Sequence, residues 1–125
     1  MTQEEEKNLL LKDLCSRLPY GVKGLHRGEK RELLVMDSFG SYQVNEYDAW
    51  FDLNSVIFKP YLFHLSSMTE EQKKEYQYIT ERWINDPAYS ISNSIDWLNK
   101  HHFDYRGLIE KGLALEAPEE MYKTE

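Results

Sequence analysis

Between Tyr20 and Ile57 one texture recurs four times, and it limits the fold more than any other feature of the chain. Tyr20-Gly21-Val22-Lys23-Gly24-Leu25 alternates loosely between apolar and small or polar residues. Arg27-Gly28-Glu29-Lys30 reads as a turn and Glu32-Leu33-Leu34-Val35-Met36 as a returning strand. Phe39-Gly40-Ser41 is a second turn signal. Tyr42-Gln43-Val44 is a third strand, and Trp50-Phe51-Asp52-Leu53 a fourth that runs on toward Ile57. A spacing of roughly ten residues per strand leaves no room for the long crossovers that parallel pairs need, so it predicts an antiparallel β-meander. Three to five strands fit, with the option of curling toward a small barrel.

Helical patterns flank this region. Thr2-Gln3-Glu4-Glu5 has the form of a capping box, and Leu11, Leu14, Cys15 and Leu18 recur at helical spacing with Leu10 beside them, up to Pro19. Cys15 on that stripe reads as a small buried hydrophobe. After the strands, Pro60 argues against a central strand at Lys59-Pro60-Tyr61-Leu62-Phe63. Thr69-Glu70-Glu71-Gln72 is a second capping box, opening a helix over about residues 70–84 with Tyr76, Ile79 and Trp83 on one face. Asp86-Pro87 starts another, with Ile91, Ile95 and Leu98 as its apolar stripe. A last short helix is expected from Asp104 to a closing Gly112. Leu113, Leu115 and Ala117 alternate weakly and offer an edge strand. The reading is one α+β domain over 1–125, divided into a helix (1–19), a β-meander (20–58), a helical part (59–112) and a tail (113–125).

Fifteen Lys and Arg stand against twenty-two Asp and Glu, a net charge of −7. Only residues 1–31 are net basic, and within them Lys23, Arg27, Lys30 and Arg31 form the one basic cluster. Affinity for nucleic acid comes mainly from cations meeting phosphates, so this balance argues against it and keeps it as a third reading through Lys23–Arg31. The apolar runs fall far short of the roughly 20 residues of a membrane span. The acidic start does not resemble a signal peptide, and a single cysteine suits a reducing compartment. A soluble, cytoplasmic protein is expected, with no membrane partner and with homo-oligomerisation left open.

The densest run of chemically capable side chains is WLNKHHFDYRG, residues 97–107. Continuing the Ile91, Ile95, Leu98 stripe by four reaches His102, which predicts a buried ring hydrogen-bonded to a nearby carbonyl or carboxylate. His101, about 100° away on a helix, should be more exposed. Asp104 is placed to cap the next helix. Each member thus has a structural role, and a catalytic role for His101, Asp104, Tyr105 and Arg106, alongside His102, is the alternative: a small hydrolase or metal-dependent enzyme. No HExxH or CxxC pattern is present, no GxSxG elbow frames Ser66, Ser67, Ser90, Ser92 or Ser94, and no glycine-rich phosphate loop occurs. No metal and no cofactor are expected.

Phe39, Tyr42, Tyr47, Trp50, Phe51, Phe58, Tyr61 and Phe63 interleave with Glu46, Asp48 and Asp52. Some of these rings must fill the core. The surplus predicts an aromatic, acid-rimmed binding surface built on Tyr42, Tyr47, Asp48, Trp50 and Asp52, suited to a basic or proline-containing segment of a protein partner.

Three stretches, LPYGVK (18–23), KPYLFHLSSMTEEQ (59–72) and WLNKHHFDYRGLIEKGLALEAP (97–118), resemble signature segments of a group of short, uncharacterised proteins from gut Bacteroides-type bacteria, their prophages and other mobile elements. The resemblance covers both ends and the central hinge, while residues 24–56 diverge. It implies a phage or mobile-element setting and an accessory role, and it carries no activity, substrate or catalytic residue. The expected function is therefore a non-enzymatic protein-interaction module.

Overall fold

A computed structural model describes residues 2–55, 57–82 and 87–122. Helix α1 spans Gln3–Arg17 and begins with the capping box the sequence announces: Thr2 Oγ1 accepts from Glu5 N, and the Glu5 carboxylate accepts from Thr2 N. Its buried face is Leu10, Asp13, Leu14 and Arg17, one position around the helix from the expected stripe. Leu11 and Leu18 are half-buried and Cys15 is exposed, which corrects the reading of Cys15 as a core residue. The shift arises because two charged side chains join the buried stripe by pairing with each other and with Arg106.

Strand β1 (Val22–His26) turns into β2 (Glu29–Met36) through Arg27 and Gly28, both at positive φ. That two-residue turn has the twist a hairpin needs and sets the register Val22 to Leu33. β3 (Ser41–Val44) follows a turn in which Asp37 Oδ1 accepts from both Phe39 N and Ser41 N, and β4 (Phe51–Asp52) pairs with β3. So far the chain is the expected antiparallel meander, except that the fourth strand stops at Asp52 and turns instead of running on toward Ile57.

The remainder departs from it. β5 (Phe58–His64) lies inside the sheet, which runs β4-β3-β2-β1-β5-β6, with β7 also on β5. β6 (Phe103–Asp104) and β7 (Leu115–Glu116) both pair with β5 in parallel, so among the described residues the sheet is mixed, has seven strands and is not a barrel. The parallel pairs follow from the long excursion between β5 and β6: helices α2 (Glu70–Arg82) and α3 (Pro87–Lys100) form the crossover that a parallel return requires. Residues 59–64, assigned to the helical part by sequence, are thus a central strand. Pro60 is tolerated because proline removes one donor only. Its neighbours still pair, Lys59 with Leu25 and Phe58 with His26, and Pro60 itself stands opposite Gly24. A Cβ on Gly24 would collide with the Lys59 carbonyl and lie 2.6 Å from the Phe58 ring, so this strand pair closes only over a glycine.

Trp83 and Asp86, expected on α2 and at the cap of α3, lie outside the described residues. No helix forms from Asp104 to Gly112; the segment is a series of turns after β6. Leu10, Leu14, Val22, Leu33, Tyr42, Val44, Phe58, Leu62 and Leu108 make the main core between α1 and one face of the sheet. A second cluster, Trp97, Leu98 and Phe103 with Tyr76, Ile79 and Phe63 against it, joins α2 and α3 to the β5–β6 edge. Ile91 and Ile95 are exposed instead of buried, because α3 turns Ser94, Trp97 and Leu98 inward. Among the described residues no helix is long and apolar enough to cross a membrane.

Candidate functional site

The segment 97–107 is where α3 ends and β6 begins. His101 N donates to Trp97 O and His102 N to Asn99 O, the last turns of the helix. His102 then takes a left-handed conformation (φ 64°), a backbone state that costs a non-glycine residue about 1 kcal/mol or more. The reversal aims His102 O at Phe63 N, 2.8 Å away, and so opens the β5–β6 pairing. His102 is buried, as its helical phase implied, but by leaving the helix. Among the described residues its ring stacks on Tyr122, with centroids 3.5 Å apart and planes 12° from parallel, in place of the expected hydrogen bond to a carbonyl or carboxylate.

Asp104 accepts from Leu108 N and Ile109 N, one through each carboxylate oxygen, so it caps a turn and not a helix. The Tyr105 hydroxyl donates to Asn99 Oδ1. Arg106 Nη1 donates to Asp13 Oδ1 at 2.7 Å, while Arg17 Nε donates to Asp13 Oδ2 at 2.8 Å. Arg17 Nη2 also donates to Phe103 O, and both guanidinium groups lie against the Tyr105 ring. Asp13 and Arg17 are fully buried. This charged bridge ties α1 to the α3–β6 joint. Sequence reasoning missed it, although Asp13 and Arg17 stand at helical spacing inside the Leu10/Leu14 stripe, which is a legible signal.

Of the five residues in the cluster, His101 and His102 line a cleft of about 570 Å3, with Phe63, His64, Glu116 and Tyr122 among its other walls. Burial pushes the His101 imidazole below its ordinary range. Burial, then the Arg17 charge, pushes His102 down to about 4. Both shifts favour the neutral imidazole. His64 Nε2 lies 3.7 Å from Glu116 Oε2, a loose and exposed contact. The cleft's hydroxyls are engaged locally: Ser67 donates to His64 O, and Thr69 Oγ1 caps α2 by accepting from Gln72 N. No described group of three or more His, Cys, Asp or Glu residues is arranged to hold a metal ion.

The tail supplies the cleft's least expected wall. Ala117 N donates to Leu62 O, and the chain then brings Tyr122 over His102 and Phe63. No sequence pattern around Tyr122, in an acidic tail, announced this.

The aromatic surface divides. Tyr42 is fully buried, its hydroxyl 3.1 Å from His26 Nδ1, because the pleat directs it to the core face. It is not part of a binding surface. Trp50 is 55% exposed and Tyr47 36%, and Asp48 and Asp52 are exposed beside them. Tyr47 is braced from below by His26 and Phe51 and flanked by the Arg31 guanidinium. The basic residues of 23–31 are dispersed over rings: Lys23 over Tyr122, Arg27 over Phe51, Lys30 over Tyr61 and Arg31 over Tyr47. Comparison with protein-family profiles, with curated proteins and with solved structures finds no match.

Proposed function

We propose that the protein is a non-enzymatic interaction module that docks a basic segment of another protein on the loop between β3 and β4. Trp50 carries this reading. It leaves most of an indole in water, where burial would be worth about 25 cal/mol per Å2 of apolar surface. Exposed tryptophan and tyrosine on a braced loop are the residue types that anchor protein interfaces. Glu46, Asp48 and Asp52 around them set the sign of the partner. The resemblance of segments 18–23, 59–72 and 97–118 supports an accessory role in a phage or mobile element. The alternative, a hydrolase or metal-dependent enzyme on the histidine cluster, has less support, because Asp104 and Arg106 are engaged in holding the fold.

A pull-down from native lysate tests the reading. The wild-type protein is expected to retain a partner reproducibly, and Trp50→Ala to weaken that retention about thirtyfold, the loss of one interface anchor of roughly 2 kcal/mol. Neutralising Asp48 and Asp52 with Asn should weaken it further at low salt. A partner held equally by Trp50→Ala refutes the site, and repeated recovery of none refutes the function.

A further inference from the structure

The β1–β5 ladder stops one pair short. Its register, His26 to Phe58, Leu25 to Lys59 and Gly24 to Pro60, would next join Lys23 to Tyr61. The Tyr122 hydroxyl stands there instead. It accepts from Lys23 N at 3.0 Å, and its single proton serves the Tyr61 carbonyl at 2.8 Å, with the Lys23 carbonyl at 3.0 Å as second acceptor. A phenol is the side chain that both donates and accepts at the tip of a flat ring. The rest of the gap suits the ring itself: His102 forms a parallel floor, Phe63 meets it edge-on, and the Lys23 ammonium lies 5.7 Å from the ring centre. The segment that brings Tyr122 there runs over the surface. After Ala117, Pro118, Glu119 and Glu120 are exposed, and Lys23 Nζ donates to Met121 O from the surface. The 570 Å3 cleft opens directly beside the slot and shares His102 and Tyr122 as walls.

We propose that the gap between β1 and β5 over His102 is a binding slot for a tyrosine side chain, filled in cis by Tyr122 and exchangeable with a tyrosine in an acidic peptide supplied in trans. The acidic flank is that of the tail's own Glu119-Glu120-Met121-Tyr122, whose Met121 carbonyl accepts from the Lys23 ammonium. An incoming chain would run through the adjoining cleft, and its tyrosine would take the three backbone contacts that Tyr122 vacates. The slot is separate from the Trp50 loop and does not rest on the function proposed there.

Full-length Tyr122→Ala, titrated with 4-methylphenol and followed through backbone amide NMR shifts, tests the slot. Saturable shifts at Lys23 and Phe63 are expected, with toluene binding about tenfold more weakly for want of the hydroxyl. No saturable shift, or equal binding of toluene, overturns the proposal. The peptide Glu-Glu-Met-Tyr added to the wild-type protein should shift the same amides, more weakly than in Tyr122→Ala because the cis tyrosine competes. Absence of that shift overturns the exchange. Should Tyr122→Ala not fold, Tyr122→Phe keeps the ring: the Lys23 amide should then exchange with solvent about tenfold faster than in wild type, with Leu25 unchanged. Equal Lys23 rates overturn the slot.

Discussion

Replacing Asp13 by Ala removes the acceptor at the centre of the α1 to α3–β6 bridge. Both carboxylate oxygens are engaged, one by fully buried Arg17 and one by Arg106, whose side chain is 14% exposed. Without Asp13, Arg17 keeps, among the described residues, only its bond to Phe103 O and the face of Tyr105. Its Nη1 has no partner among the described residues even with Asp13 present. Leaving a buried charge uncompensated costs roughly 3–5 kcal/mol, a large part of the 5–15 kcal/mol that holds a domain together. Urea unfolding followed by tryptophan fluorescence should show a loss of that size for Asp13→Ala. Arg106→Ala should cost less, about 1–2 kcal/mol, because water reaches its guanidinium and Asp13 keeps Arg17. In a double-mutant cycle the Asp13–Arg106 pair should couple by about 1–3 kcal/mol. A loss below about 1 kcal/mol for Asp13→Ala, with an unchanged denaturant slope, would refute the bridge as a structural element.

Acid should loosen the same joint. His102 titrates near 4 in the fold against an ordinary 6.5, so the unfolded chain binds the extra proton first. The stability this contributes is complete above about pH 6.5 and is lost as pH falls toward 4, roughly 3 kcal/mol in all. Urea midpoints measured between pH 7 and 4 should fall accordingly. They should fall less in His102→Asn, since asparagine accepts the left-handed backbone and carries no charge; parallel curves would remove His102 as the cause. Gly24→Ala should cost more than about 2 kcal/mol, because the added methyl meets the Lys59 carbonyl and the fully buried Phe58 ring, neither of which can easily move aside. A thermal midpoint within a degree or two of wild type would show that β1 and β5 separate more easily than their packing implies.

Local chemistry made several parts of this protein legible in advance. The capping boxes at Thr2 and Thr69, the turn begun at Arg27-Gly28 and the turn signalled by Phe39-Gly40-Ser41, which Asp37 organises, all act over four or five residues. The four-strand texture from Tyr20 to Leu53 likewise became β1 to β4. Helical phase was less secure. On α1 and α3 the buried stripe is decided by what packs against the helix, so charged Asp13 and Arg17 went inside while Ile91 and Ile95 stayed out.

The pairings decided by residues far apart in the chain were invisible to pattern. Pro60 sits in a central strand paired with β1, where Gly24, 36 positions earlier, stands opposite it and leaves room for the Lys59 carbonyl and the Phe58 ring. His102 is buried because Tyr122 comes back to cover it, and Arg106 matters because Asp13 waits on α1. The sequence by itself determined the helix caps at Thr2 and Thr69, the β1–β2 hairpin turn and that the chain would be α+β. Only the tertiary structure decided the mixed sheet, the charged bridge and the tail's tyrosine in the β1–β5 gap. Capping and turning are settled by neighbours in the chain, whereas burial of a charge or a proline is stable only when a distant partner is present.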